Sequence, residues 1–194
     1  MRARLRPVVL ILAVLSLVSA CHPPAPPHSA RLGDRRTTEE PVAARQKIRQ
    51  HLAADNHPAA LALVLSSGLA ETALAEEYGL ALRGVLKQAE GYLEKEMPEK
   101  AGHLFRAALD GYPATPAVAA KAGTRPAGIT AGIETCADQL LERGLAAYRS
   151  GDLDQAIKTW KLIHVFAPQH HASRKALQTA EVQLANLKKV RAEQ

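Results

Sequence analysis

The chain has 194 residues, with 25 Lys and Arg against 19 Asp and Glu and a formal charge of +6. That is one domain's worth of chain plus a tether, and too mildly basic to single out nucleic acid as a partner. Aromatic residues make up only 4%, and alanine supplies much of the 47% hydrophobic share. Alanine is the best helix former and lets helices approach closely, and no clear period-two pattern marks a strand, so the expected class is all-α.

Residues 1–20 read as a leader, not as part of a fold. Arg2, Arg4 and Arg6 give a positive start, and Pro7 to Val18 is an apolar run short for a membrane-spanning helix. The run closes on Val18-Ser19-Ala20-Cys21. This resembles the lipobox of bacterial lipoproteins: a branched residue, two small ones, then the cysteine to be lipidated. The resemblance implies cleavage before Cys21, a diacylglycerol on its sulfur and an acyl chain on its amine, and so a stable membrane anchor. An ordinary secretory signal with a chance cysteine is the alternative. His22, in place of Asp, implies by the same resemblance an outer-membrane address with the domain in the periplasm. The covalent lipid on Cys21 is the one non-protein group expected; no cofactor and no metal are. Without the leader arginines, 22 basic residues face 19 acidic ones.

Residues 21–40 carry Pro23, Pro24, Pro26 and Pro27 and almost no large apolar group. Such a segment cannot offset its ordering entropy, and its first, proline-rich part reads as a semi-rigid spacer. Arg31, Arg35 and Arg36 are either solvated linker charge or contacts to anionic headgroups.

The domain spans residues 41–194. A first helix is expected from Thr38-Glu39-Glu40-Pro41, through Ile48 and Leu52, to Ala54. Asp55-Asn56-His57 breaks the chain. Pro58 opens a second helix carrying Leu61, Val64 and Leu65, which Gly68 stops. Residues 71–96 read as one long helix or two in tandem, with Leu82, Val85, Leu86, Ala89, Tyr92 and Leu93 at helical spacing. Met97-Pro98 begins another helix, with Ala101, Phe105, Ala108 and Leu109, which ends at Gly111-Tyr112-Pro113. Ala114 to Gly132 is rich in Ala, Gly, Thr and Pro. It reads as a loop with one short helical turn, either disordered or in contact with a partner. From Leu140 to Pro168, two apolar faces flank Ser150-Gly151-Asp152. Gly144 and Ala156 are small where two helices would cross, Trp160 shares a face with Ala156, and Pro168 cannot continue the helix. Asp152 and Asp154 suit a helix start. A last helix, about His171 to Arg191, carries the stripe Leu177, Ala180, Leu184 and Leu187, with Lys188, Lys189 and Arg191 in its last turns.

The pattern Gly144, Ala156-x3-Trp160, Pro168 resembles a tetratricopeptide repeat (TPR), whose hallmarks are Gly, Ala-x3-aromatic and Pro. Ala89, Tyr92, Ala101-x3-Phe105 and Pro113 repeat the pattern, with Ala89 at the Gly position. A weaker copy sets Ile48, Ala60 and Val64 in register, with Thr72 at the Pro position. The aligned alanines at 60, 101 and 156 lie 41 and 55 residues apart, against a TPR period of about 34, so the array is interrupted. The resemblance implies a short α-solenoid of antiparallel hairpins with a C-terminal capping helix and a concave groove that grips protein partners of the cell envelope. Lipoproteins of this build include pilotins and accessory factors of outer-membrane β-barrel assembly. Arg45, Arg49, Gln88, Arg143 and Arg149, on the first helix of each pair, are the expected groove contacts. An accessory lipoprotein that docks on the cell wall or tunes a hydrolase is the alternative.

No G-x-S-x-G, H-E-x-x-H, C-x-x-C or Gly-rich phosphate loop occurs, so the expected function is non-enzymatic. His164, His170 and His171 gather near one break. Without a carboxylate or thiolate at ligand spacing, they read as exposed turn histidines. Glu76-Glu77 and Glu94-Lys95-Glu96 read as solvated faces. Tyr92, Phe105, Tyr148 and Trp160 read as core, with Trp160 able to edge onto the concave surface. Cys136 is either a small buried hydrophobe or the partner in an intermolecular disulfide.

Overall fold

The computed structural model describes residues 32–193, with side chains from Pro41 onward. The leader, Cys21 and the proline-rich start of the tether lie outside the described residues. The elements are α1 (Leu32–Ala53), α2 (His57–Ser66), α3 (Ala75–Glu94), α4 (Pro98–Asp110), α5 (Pro116–Ala119), α6 (Pro126–Arg149), α7 (Leu153–Phe166) and α8 (His171–Ala192). Short 3-10 turns precede α3 and follow α5, and no strand occurs among the described residues. Helices α1–α2, α3–α4 and α6–α7 form hairpins, and α2 packs on α3, α4 on α6 and α7 on α8. No described helix is long and apolar enough to cross a membrane.

The three hairpin turns are built alike. Asp55, Glu96 and Gly151 each take a positive φ, of 52°, 56° and 83°. The amide that follows each donates back to a carbonyl five residues earlier: Asn56 to His51, Met97 to Tyr92 and Asp152 to Ala147, each at 2.9 Å. Asp55, Glu96 and Gly151 themselves donate to Leu52, Leu93 and Tyr148. These paired bonds satisfy the last carbonyls of the first helix and aim the chain back along it. The next helix opens with its own cap. Asn56 accepts from the Ala59 amide and Asp152 accepts from the Gln155 amide, while Pro98 occupies the first turn of α4. Ala60, Ala101 and Ala156 then fall at equivalent positions, and all three are fully buried.

Close approach explains the glycines on the packed faces. A Cβ on Gly144 would overlap the Trp160 indole, and one on Gly102 would press on the Phe166 ring. Gly91, in the last turn of α3, has no neighbouring side chain within 4 Å of where a Cβ would stand. Gly91→Ala is therefore expected to raise stability by about 0.5–1 kcal/mol, the helix-propensity difference alone, in equilibrium urea unfolding.

The structure departs from the sequence reading in several places. Helix α1 starts at Leu32, ahead of Thr38, and holds Pro41 in its interior. Residues 32–40, where no order is expected ahead of Thr38, are thus helical. Gly33 and Pro41 both fall inside α1, since a glycine is tolerated in a helix and an internal proline costs it one hydrogen bond without always ending it. The stretch from Ala114 to Gly132 is not a loop. It is α5, a 3-10 turn and the start of α6. Val118, Ala122 and Ile129 are buried. Glu71 accepts from the Ala114 and Thr115 amides at 3.0 and 2.8 Å, and the Tyr112 hydroxyl donates to Thr124 O at 2.9 Å. Hydrogen bonding from Thr115, then from Ala114, holds the Glu71 carboxyl below the usual carboxylate range.

Candidate functional site: the groove between α6 and α8

On α6, Ile133, Cys136, Ala137, Leu140 and Gly144 face the core. Leu141, Leu145 and Tyr148 form a second stripe beside them, at i, i+4 and i+7. On α8, Ala172, Ala176 and Thr179 repeat that spacing. Large side chains on one helix thus meet small ones on the other, and a groove of about 370 Å³ stays open between them, edged by Lys175. Trp160 lies at its floor. The indole is 1% exposed, so it belongs to the core. Its Nε1 donates to Leu141 O at 3.1 Å, and the Tyr148 ring tilts against it with centroids 6.0 Å apart. The Tyr148 hydroxyl donates to Gln183 Oε1 at 2.6 Å, tying α6 to α8. Half-buried apolar groups at matched spacing offer an extended or helical peptide somewhere to set its own apolar side chains. The second stripe on α6 is the signal in the sequence that would have marked this groove.

The polar residues expected to line a groove are placed differently from one another. Arg49 Nη2 pairs with Glu77 Oε1 at 2.8 Å, and Arg45 Nε lies 3.6 Å from the same oxygen. Arg45 also donates to Ala73 O. Glu77 is therefore not on a solvated face; it is 6% exposed, and its buried carboxylate draws α1 onto α3. Gln88 Nε2 donates to Asp55 O and Arg143 Nη2 to Glu96 O, at 2.9 and 2.7 Å. Asp55 and Glu96 are the equivalent left-handed residues of the first two turns. In both cases the first helix of one hairpin thus clasps the turn of the hairpin before it. Arg149 is exposed near the open end of the α6–α8 groove. Ala89, Ala101, Phe105, Pro113, Gly144 and Ala156 are buried, and Tyr92 is half-buried.

Because Arg45 and Arg49 reach water, Glu77→Ala would strand neither cation in the interior. It removes a charge-assisted bond and leaves a small cavity. The expected cost is about 1–3 kcal/mol in urea unfolding, with α1 losing amide protection first in hydrogen exchange.

His170 is not an exposed turn histidine. It is 8% exposed and caps α8, with Nδ1 accepting from the Ser173 amide at 3.4 Å. Its Nε2 faces Asp138 Oδ1 at 3.2 Å and Glu134 Oε2 at 3.9 Å, both from α6. With Nδ1 turned to the helix cap, Nε2 is the ring atom that meets the α6 carboxylates. Among the described residues, no group of three His, Cys, Asp or Glu side chains is placed to hold a metal ion. Burial, then Arg174 and His170, holds the His164 imidazole below its ordinary pKa. The carboxylates near His170 come from a helix more than thirty residues away in sequence, so spacing along the chain concealed them.

Cys136 is fully buried, and burial pushes its thiol up to about 11. In the folded protein near pH 8 a thiol reagent is expected to leave it unlabelled, with full labelling on unfolding; rapid native labelling would contradict its place in the core.

The fold and groove define an all-helical row of hairpins with an apolar slot near its C-terminal end. Comparison of the chain with protein-family models, with curated proteins and with solved structures found no match.

Proposed function

We propose that this chain is a non-enzymatic, membrane-anchored scaffold: a TPR-like α-solenoid, lipidated at Cys21, that holds a protein partner in assembly of the cell envelope. The observation that carries the reading is the open groove between α6 and α8, where Leu141, Leu145 and Tyr148 are only half-buried among the described residues. The equivalent turns at Asp55, Glu96 and Gly151 favour the solenoid description, since each hairpin repeats one local solution. The lipobox-like Val18-Ser19-Ala20-Cys21 favours the anchor, and His22 in place of Asp favours an outer-membrane address with the domain in the periplasm.

The test is affinity purification of the lipidated protein from solubilised envelope, with mass spectrometry of what comes with it. A defined partner is expected with the unaltered chain, reduced about tenfold by Leu145→Glu, which sets a charge in the groove at a position open enough to tolerate it. A partner retained equally by that variant, or no partner at all, would count against the groove.

A further inference from the structure

A second cleft, of about 510 Å³, lies between the first hairpin turn and α3. Gly84, Gln88, Gly91 and Lys95 line it from α3, at i, i+4, i+7 and i+11, and so share one face. The two glycines shape the trough differently, Gly84 by admitting a side chain and Gly91 by leaving space. At Gly84 the His57 ring lies where a Cβ would stand, and at Gly91 the space is open. A helical glycine costs about 1 kcal/mol against alanine, and at Gly91 no packing contact offsets that cost. Lys87 and Lys95 both line the cleft, and among the described residues neither has a carboxylate partner. Asp55 is the one acidic side chain in the lining, and its carboxylate sits 3.6 Å from His57 Nε2. His57 Nδ1 is buried without a hydrogen-bond partner. Gln88 donates to Asp55 O through Nε2, which leaves its Oε1 free to accept.

From Gly84 to Lys95 the trough runs about 16 Å, at about 1.5 Å per helical residue. An extended chain of about five residues spans that length. We propose that an acidic, extended segment of a partner protein lies in this trough, its carboxylates on Lys87 and Lys95 and a backbone amide on Gln88 Oε1. The inference rests on the reading that the protein holds a partner, and it names the chemistry of one stretch of that partner. Two unpaired ammonium groups beside a cleft left open at Gly91, with Gln88 Oε1 between them in sequence, suit a string of carboxylates on an extended backbone. A single small anion would leave most of the trough unfilled.

The test uses the full chain and a fluorescein-labelled hexamer of glutamate, followed by polarisation, with a glutamine hexamer as control and inorganic phosphate as competitor. The glutamate peptide is expected to bind and the glutamine peptide not to. Binding should weaken about tenfold or more in Lys87→Glu/Lys95→Glu. Gly91→Leu fills the trough without touching a charge and should weaken binding similarly, with the helical circular dichroism unchanged. Absence of glutamate-peptide binding, unchanged binding in either variant, or displacement by phosphate at equal concentration would overturn the proposal. So would binding to vesicles rich in anionic phospholipid with none to the peptide. An envelope partner retained in full by Lys87→Glu/Lys95→Glu overturns the acidic-segment proposal alone; no partner for the unaltered chain overturns the scaffold reading, and the peptide measurement still decides the trough.

Discussion

Trp160→Ala is expected to lower the stability of the fold by about 3–5 kcal/mol, and so to lower Tm by about 10 °C or more. The indole is 1% exposed and lies between α7 and the Gly144 turn of α6. Its ring touches Tyr148, and its Nε1 satisfies Leu141 O. Truncation would open a cavity under the α6–α8 groove and remove the indole's hydrogen bond to Leu141 O. Helix α6 could collapse toward α7 only by shifting Leu141, Leu145 and Tyr148, the side chains that shape the groove. Urea unfolding measures the loss directly; a loss below about 1 kcal/mol would mean that the indole is not clamped between the two helices.

Gly144→Ala should destabilise by about 2 kcal/mol, although alanine is the better helix former. The methyl group gains up to about 1 kcal/mol from propensity. It must then displace an indole packed flat on the helix, at an overpacking cost of about 1–3 kcal/mol, and strain or break the Trp160 Nε1 bond to Leu141 O, worth about 1 kcal/mol more. Gly91→Ala should act in the opposite sense, because no neighbouring side chain stands within 4 Å of its missing Cβ. The same substitution in two helices of one protein thus separates steric need from conformational cost. Equal effects at the two sites would refute the close crossing of α6 and α7.

The hairpins themselves were legible in the sequence because their signals are local. Each turn carries a positive-φ residue, then a cap or proline, and a buried alanine five residues after the positive-φ residue, and the chain order of small and large residues announces the crossing. The segment before the third hairpin was not legible, because Gly128 and Gly132 look like breakers when read alone. At Gly132 a Cβ would stand only 2.9 Å from the Phe105 ring, so the glycine serves a contact with α4. The stripe Ile129, Ile133, Cys136, Leu140, begun by Pro126, carries the helix through both glycines. Glu77 and His170 were misread for a different reason. Their partners, Arg49 and Asp138, lie 28 and 32 residues away, and no local pattern shows which charged residues will meet across helices. The expected groove arginines illustrate the same limit. Arg143 and Gln88 do lie on the first helices of their hairpins, yet they spend their donors on the preceding turns. In the groove between α6 and α8 the lining is mainly apolar: the second stripe of α6 opposite the alanines of α8.

Helix α8 was expected to cap the row with Leu177, Ala180, Leu184 and Leu187 inward. Leu177 and Ala180 are buried, but Leu187 is 44% exposed. The reason is length. Helix α8 has 22 residues and α7 has 14, so the last turns of α8 run past the helix that would cover them.

The most direct test of the scaffold account is site-specific photo-crosslinking in living cells. A photoreactive phenylalanine at Ala176 sits in the α6–α8 groove; at Lys158 it sits on α7, exposed and turned away from Trp160. The account predicts one discrete crosslinked envelope protein from position 176 and none from 158. Crosslinks from neither position, or equal crosslinks from both, would contradict it.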